Sequence, residues 1–521
     1  MTPFAVAHRV WSAIPRYMQI QFWSALIIAL LVHMYLMTNG FINHDSTVIA
    51  ANNQWFNIAS GRWFAAVPDA ISTHFNLLWV NSMFSVLYIS LAACLVGACL
   101  RITRTPLILI LSALVVSFPA VASGLSDRFE ADKFFFAVLL ACLAAYLTRR
   151  FRFGAIAGAV LLVFSLATYQ AYVGFFAGLV VLMLIRDLLT QDNVKPVLLR
   201  AAKYLLTLIV ALGAYAVSVK LTVTGDAGYK DIGGFGGLSL QSLPGRIVFA
   251  YRNVFDVFVR NSLWIHQDFT QNGQRFKWLF VVAALTGLLL LINIVLNTKM
   301  YRNVARLVSL AILIAVIPIA IDAVAIVSPD YLYILMQYSL VLLFAFILVV
   351  VDVSASTDPD SCKPARAWAV SLSSWYLLGL CCLVAFSYAL YTNVFYSKVD
   401  LINKQGQNYS ATLVTRIQSQ DYYTTDKPII LIGAAGPSFG LGYYANYSAV
   451  PIEDMPNMYS YSSYLLDYFD VRNPVSRWDG SLPDDLTSNP QAVTAISEMP
   501  LYPDAGSVEE VAGYIVVKLS N

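Results

Sequence analysis

The sequence predicts a polytopic α-helical membrane protein with a small water-facing α/β domain at its C-terminal end. Three observations predict this. The 521 residues are 59% hydrophobic and only 12% charged, whereas soluble domains carry roughly 25% charged and 45–50% apolar residues. Apolar stretches long enough to cross a bilayer recur along most of the chain, a span needing about 20 mainly apolar residues. After about residue 391 the pattern changes to turn clusters and short strand-like runs, such as Pro428-Ile429-Ile430-Leu431-Ile432 and Tyr514-Ile515-Val516-Val517.

The spans are expected near 21–38, 76–100, 107–122, 131–147, 154–168, 172–187, 204–222, 277–297, 307–326, 332–351 and 368–391, about eleven helices. Residues 4–20 read as an interfacial amphipathic helix leading into the first of them. The first apolar run is long and lacks a small-residue cleavage site, so it reads as a retained helix. The stretch 154–187 reads either as two short helices or as one span plus a re-entrant segment, because Tyr169, Gln170 and Tyr172 interrupt it. The expected division is a membrane domain over 1–391, with external loops 39–75 and 223–276, and a C-terminal domain over 392–521. The loop 223–276 carries turn signals at Gly233, Gly234, Gly236 and Gly237.

Charge sets the expected orientation. The formal net charge is only +3, and no basic run suggests nucleic acid. Instead Arg9 and Arg16, Arg101 and Arg104, Arg149 to Arg152, Arg186 to Lys203, Lys299 to Arg306, and Lys363 and Arg366 all fall on one side of an alternating bundle. That side is expected to be cytoplasmic. An odd number of spans then puts residues 392–521 outside. Of the six cysteines, all but Cys362 lie in apolar stretches and read as small hydrophobes. The few histidines are scattered, so no metal cluster is visible.

Polar residues at a membrane edge are costly and tend to be functional. Four places qualify. Asp45, preceded by His44, lies just after the first helix, with Arg62 of Gly61-Arg62-Trp63-Phe64 closing the same loop. Ser126-Asp127-Arg128-Phe129-Glu130-Ala131-Asp132-Lys133 joins the third and fourth helices, and its cations suit a phosphate, Arg through its bidentate fork. Tyr169-Gln170-Ala171-Tyr172 sits at the same depth. Asp322, near the outer end of the ninth helix, needs a partner that the sequence does not name. Each has a plainer alternative: a solvated loop acid, a helix-start ion-pair cluster or an interfacial aromatic belt. The C-terminal region is rich in tyrosine, from Tyr443 to Tyr468, which suits sugar binding or packing on a membrane surface. Gly433 to Gly440 follows a strand but has neither dinucleotide spacing nor a phosphate-loop Lys.

Four of these motifs, His44-Asp45-Ser46, Gly61-Arg62-Trp63, Glu130-Ala131-Asp132-Lys133-Phe134 and Ala167-Thr168-Tyr169-Gln170-Ala171, resemble the GtrII-type O-antigen glucosyltransferases of bacteria and serotype-converting phages. The resemblance covers roughly the first 220 residues. It implies a GT-C-like fold in a bacterial inner membrane, with the N-terminus cytoplasmic and the C-terminal domain periplasmic. It implies inverting transfer of a sugar, most often glucose, from undecaprenyl phosphate to an O-antigen hydroxyl. Asp45 is the expected base. Arg128 and Lys133, then Arg62, are the expected phosphate ligands. His44, Glu130, Asp132, Tyr169 and Gln170 are expected to shape the sugar pocket. The implied partners are the lipid-linked donor, the acceptor glycan and membrane lipids, with no nucleic acid. With a monophosphate leaving group the chemistry needs no metal or other cofactor, though it leaves room for a divalent ion. The competing readings are an O-antigen polymerase or another prenyl-phosphate-sugar transferase, and a non-catalytic carrier of lipid-linked sugars. Carriers usually show repeated halves, which this chain lacks.

Overall fold

The computed structural model of the chain describes residues 2–40, 57–73, 75, 77–223, 239, 241–260, 277–328, 332–356, 364–433, 461–478 and 483–520. They form two compact units. One comprises Met1–Thr38 and Gln54–Asn393, and the other takes in Val394–Asn521.

The membrane unit opens with α1 (Pro3–Ala13), capped by Thr2. Pro15 separates it from the first span, α2 (Arg16–Thr38). The short α3 (Ala66–Ser72) lies within what the sequence presents as an external loop. It precedes α4 (Val80–Leu100). The third apolar stretch is bent into α5 (Thr105–Ser117) and α6 (Pro119–Ser126). Pro119 lacks the N–H that a continuous helix would need, and it disfavours helical geometry at Phe118. The bend is followed by α7 (Arg128–Arg150). The acid-rich segment read as a connecting turn is therefore largely the first turns of α7.

The uncertain stretch resolves into two helices, α8 (Gly154–Leu166) and α9 (Val173–Thr190), separated by extended Tyr169 and a single 3₁₀ turn over Gln170–Tyr172. Helix α8 has 13 residues, about 20 Å of rise against a hydrocarbon core of about 30 Å. It nevertheless returns the chain from one end of α7 to the other. Gly154 abuts Leu147 and Thr148, while Ser165 donates to the Ala137 carbonyl at 2.8 Å. The crossing is close because Gly154 and Gly158 share a face. A Cβ at Gly158 would collide with Thr148 Oγ1, and one at Gly154 with the Leu147 carbonyl. This is the small-residue packing that membrane helices use where no hydrophobic effect drives them together.

The remaining elements of this unit are α10 (Lys195–Thr222), α11 (Leu243–Phe255), α12 (Lys277–Asn297), α13 (Val304–Ile321), α14 (Ala323–Val327) and α15 (Leu342–Ser354), the last entered through a 3₁₀ stretch over Ile334–Val341. Helix α11 lies in the second expected external loop. Gly233 to Gly237 of that loop fall outside the described residues. Arg246 of α11 donates to the carbonyls of Ile326 and Val327 at 2.8 and 3.0 Å, and Asn253 donates to Asp322 at 2.8 Å. Asp322, which the sequence left without a partner, thus finds one on α11. Among the described residues ten helices are long and apolar enough to cross a membrane, with α8 as a shorter apolar helix. All eleven expected spans therefore appear as helices, and the chain is a multi-pass membrane protein.

The final apolar segment belongs to α16 (Pro364–Gln418), whose 55 residues far exceed the about 20 a span needs. Its last turns enter the C-terminal unit. There Leu413, Val414 and Ile417 pack with Tyr464 and Leu465 of α17 (Tyr461–Phe469) against a four-stranded sheet. The sheet runs β2-β1-β4-β3, from β1 (Ile429–Ile432), β2 (Val475–Trp478), β3 (Val508–Val511) and β4 (Tyr514–Lys518). Strand β1 pairs parallel to β2 and β4, and β3 runs antiparallel to β4. Leu486, Ala492 and Ile496, from α18 (Asp484–Thr487) and α19 (Pro490–Glu498), cover the other face. Both expected strand-like runs are strands, and the unit is the small α/β domain anticipated. Tyr443, Tyr444, Tyr447 and Tyr459, and Gly440 with most of its glycine-containing loop, lie outside the described residues.

Candidate active site

The first turns of α7 carry Arg128, Glu130, Asp132 and Lys133, all buried. Burying so many ionisable groups demands compensation, since an unpaired charge in a low-dielectric setting costs several kcal/mol. The compensation is visible. Lys133 Nζ lies 2.9 Å from Glu130 Oε1, one helical turn back, and 2.9 Å from Asp69 Oδ1 of α3. Its side chain is 1% exposed, and that of Asp69 0%. Asp132, on the adjacent face of α7, accepts from Ser72 of α3 and from Asn81 of α4. Helix α3 is thus docked on α7 by two polar contacts one turn apart, Asp69 to Lys133 and Ser72 to Asp132.

A second group assembles beside the first. Gly61 takes φ +75 and packs against the Tyr215 hydroxyl of α10, so a Cβ there would meet Tyr215 and strain the backbone as well. Arg62 follows. Its Nε donates to Gln170 Oε1 at 3.4 Å, and its guanidinium lies 4.6 Å above the Tyr169 ring, a cation–π geometry. Gln170 Nε2 reaches the Ser60 carbonyl at 2.7 Å and Tyr215 Oη at 2.8 Å. Trp63 Nε1 donates to Ser218 of α10, and Phe64 stacks on Phe164 with centroids 4.1 Å apart. The break between α8 and α9 therefore serves as a dock for the Gly61-Arg62-Trp63-Phe64 segment. Tyr169 joins the two groups, because its other neighbour is Phe134 of α7 at 4.6 Å, next in sequence to Lys133.

Six of the residues singled out from the sequence, Arg62, Glu130, Asp132, Lys133, Tyr169 and Gln170, thus come together at one end of the bundle. Arg128 is buried in the same first turn of α7. His44 and Asp45 lie outside the described residues. The sequence reading missed Asp69. It is the second acid of the 39–75 segment, flanked by Ala65, Val67, Ala70 and Ile71, and that apolar company on a short helix was the available signal that it would be buried. Two carboxylates share the Lys133 ammonium.

The family model for Glucosyl transferase GtrII matches residues 34–350. The chain belongs to the GtrII glucosyl transferase family. No curated protein and no solved structure matches it. The GtrII match spans the whole Lys133 cluster, the Arg62–Gln170 dock and Asp45, and it stops before α16 and the C-terminal unit. Membership makes the chain a multi-pass membrane glucosyltransferase, acting on a sugar donor and an acceptor. Such an enzyme needs an acid–base group for the acceptor hydroxyl and a charge-stabilising group for the leaving group. Carboxylates and guanidiniums are both gathered at this end of the bundle.

Proposed function

We propose that this GtrII protein transfers glucose from undecaprenyl-phosphate-glucose to a hydroxyl of O-antigen on the periplasmic face of a bacterial inner membrane, with inversion at the anomeric carbon. The observation that carries the reading is the gathering of Asp69 and Glu130 around Lys133, with Asp132 beside them and Arg62 reached through the Phe134–Tyr169 ring pair, at a single end of a membrane bundle. A polyprenyl donor keeps its tail in lipid and its phosphate at the membrane edge, and a polar cluster at one end of span-length helices supports placing the donor phosphate there.

In the proposed step the acceptor oxygen bonds to the glucose C1 as the C1–O bond to phosphate breaks. The bonding pair leaves on the undecaprenyl phosphate oxygen, and the acceptor proton passes to Asp45. A single displacement of this kind inverts C1. Arg128 and Arg62 are assigned to the departing phosphate. Arg62 is the more accessible, half-buried and already oriented by Gln170 and Tyr169. Lys133 is assigned a supporting part: its ammonium holds the Asp69 and Glu130 carboxylates in place, and with Asp132, Tyr169, Gln170 and His44 they would line the sugar pocket.

The test is transfer of labelled glucose from undecaprenyl-phosphate-glucose to lipopolysaccharide in membranes containing the wild-type chain. Incorporation, with a donor KM raised by Arg62→Gln or Arg128→Gln, supports the assignment. Movement of the donor across the bilayer without incorporation would instead make the protein a carrier. Failure to use this donor while another prenyl-linked sugar is transferred would reassign the sugar.

A further inference from the structure

The opposite end of α7 carries the inverse arrangement. Asp187, near the end of α9 and 0% exposed, is ion-paired with Arg149 of α7 at 2.8 Å, Arg200 of α10 at 3.3 Å and Arg101 beyond α4 at 3.7 Å. One carboxylate cannot neutralise three guanidiniums, so two positive charges remain in excess. Next to it, Asp352 is shared by Arg186 at 2.6 Å and Arg104 at 3.3 Å, which leaves a third. Arg149 Nη1 and Arg186 Nη1 are buried, and neither has a hydrogen-bond partner among the described residues. Donors of this kind call for an acceptor, since leaving them unmet costs free energy.

The surroundings indicate where an acceptor would come from. From Lys133 to Arg149 α7 rises about 24 Å, most of a hydrocarbon thickness of about 30 Å, so the arginine cluster lies toward the other headgroup layer. The cluster is flanked by exposed apolar side chains, Phe151 and Phe153 after α7 and Leu198 and Leu199 just before Arg200. Those belong against acyl chains, with the guanidiniums at phosphate depth. Arg101 is 49% exposed and Arg200 28%, so the cluster is open to an incoming headgroup.

We propose that Arg101, Arg149 and Arg200, gathered around Asp187, bind the phosphate of an anionic phospholipid headgroup, at the end of the bundle opposite the glucosyl-transfer site. Guanidinium forks suit phosphate oxygens, and basic pockets between membrane helices are suited to anionic headgroups. The binding does not depend on the sugar or the donor.

The experiment uses the full chain in nanodiscs of phosphatidylcholine alone or mixed with phosphatidylglycerol, and reads the thermal unfolding midpoint. Phosphatidylglycerol is expected to raise the midpoint by on the order of 2 °C, because a ligand bound by the native state stabilises it. Arg101→Gln/Arg200→Gln should abolish the rise. Lys299→Gln/Arg302→Gln, which removes the same formal charge from a loop elsewhere in the bundle, should keep it. Pyrophosphate added to phosphatidylcholine discs separates the sources: a rise with pyrophosphate and none with phosphatidylglycerol would overturn the lipid assignment. No rise in the wild type, or a rise that persists in the arginine variant, would overturn the site.

Discussion

The two ends of helix α7 carry opposite solutions to the same problem. At its start one ammonium, Lys133, is held between two carboxylates, Asp69 and Glu130. At its end one carboxylate, Asp187, is held among three guanidiniums. Both central residues are buried, and each is surrounded by more than one group of the opposite sign. The difference teaches that the ionisable residues are not merely a hydrophilic fringe on an apolar helix. A fringe would be solvated and near neutral. Carboxylates gathered around one ammonium, with Arg128 and Arg62 at the same end, suit the proton acceptance and phosphate binding proposed there. The surplus base at the other suits an anionic surface.

The comparison breaks most sharply at Lys133. Lys133→Met leaves Asp69 and Glu130 facing each other without their shared cation, and removing one partner of a buried pair costs about 3–5 kcal/mol. The expected outcome is a large loss of folded protein, followed by size-exclusion chromatography of the detergent-extracted chain, with partial recovery when Asp69→Asn is added. Full recovery of folding in Lys133→Met alone would mean the carboxylates are not held by charge.

Asp187→Ala is expected to be milder, although Asp187 is equally buried. Arg101 and Arg200 can turn toward water, so mainly Arg149, itself 12% exposed, is left without its partner, and the cost is expected to fall below the about 3–5 kcal/mol of a fully closed pair. The unfolding midpoint should fall less than in Lys133→Met. An equal or greater fall would show that the arginine cluster is as closed as the lysine one.

A third variant addresses the short helix that links the two ends. Gly158→Leu pushes a side chain into Thr148 and the Ala144 carbonyl, and overpacking of this kind costs about 1–3 kcal/mol. Gly213→Leu, whose position faces open space, should cost little. The contrast in unfolding midpoint between the two checks that α8 is held by close approach and not by apolar character alone.

Much of this architecture was legible in the sequence because lipid permits few structures. Every spanning backbone must satisfy its own hydrogen bonds, so apolar stretches of the right length become helices. The site was legible in part for a related reason: Arg128, Glu130, Asp132 and Lys133 lie next to apolar neighbours where solvated charges would be out of place. What could not be read was pairing across distance. Asp69 went unnoticed, because nothing local says that α3 folds back onto α7. Asn253 was unremarkable until α11 laid it beside Asp322. Nothing in the sequence singled out Gly154 and Gly158, whose missing side chains are what let α8 lie against α7. The arginines were read as topogenic, which concerns their side of the membrane and not their convergence on Asp187.

Glucosyl transfer at the carboxylate-bearing end, with Asp45 as its base, can be checked in a single reconstitution. Wild type and Asp45→Asn are reconstituted at equal amounts, and the rate of glucose transfer from undecaprenyl-phosphate-glucose to the acceptor glycan is followed. Loss of a positioned general base costs about 10²–10⁴-fold, so Asp45→Asn should fold normally and transfer slower by that factor. Near-wild-type transfer by a folded Asp45→Asn would contradict the account and move the search for the base to Asp69 and Glu130.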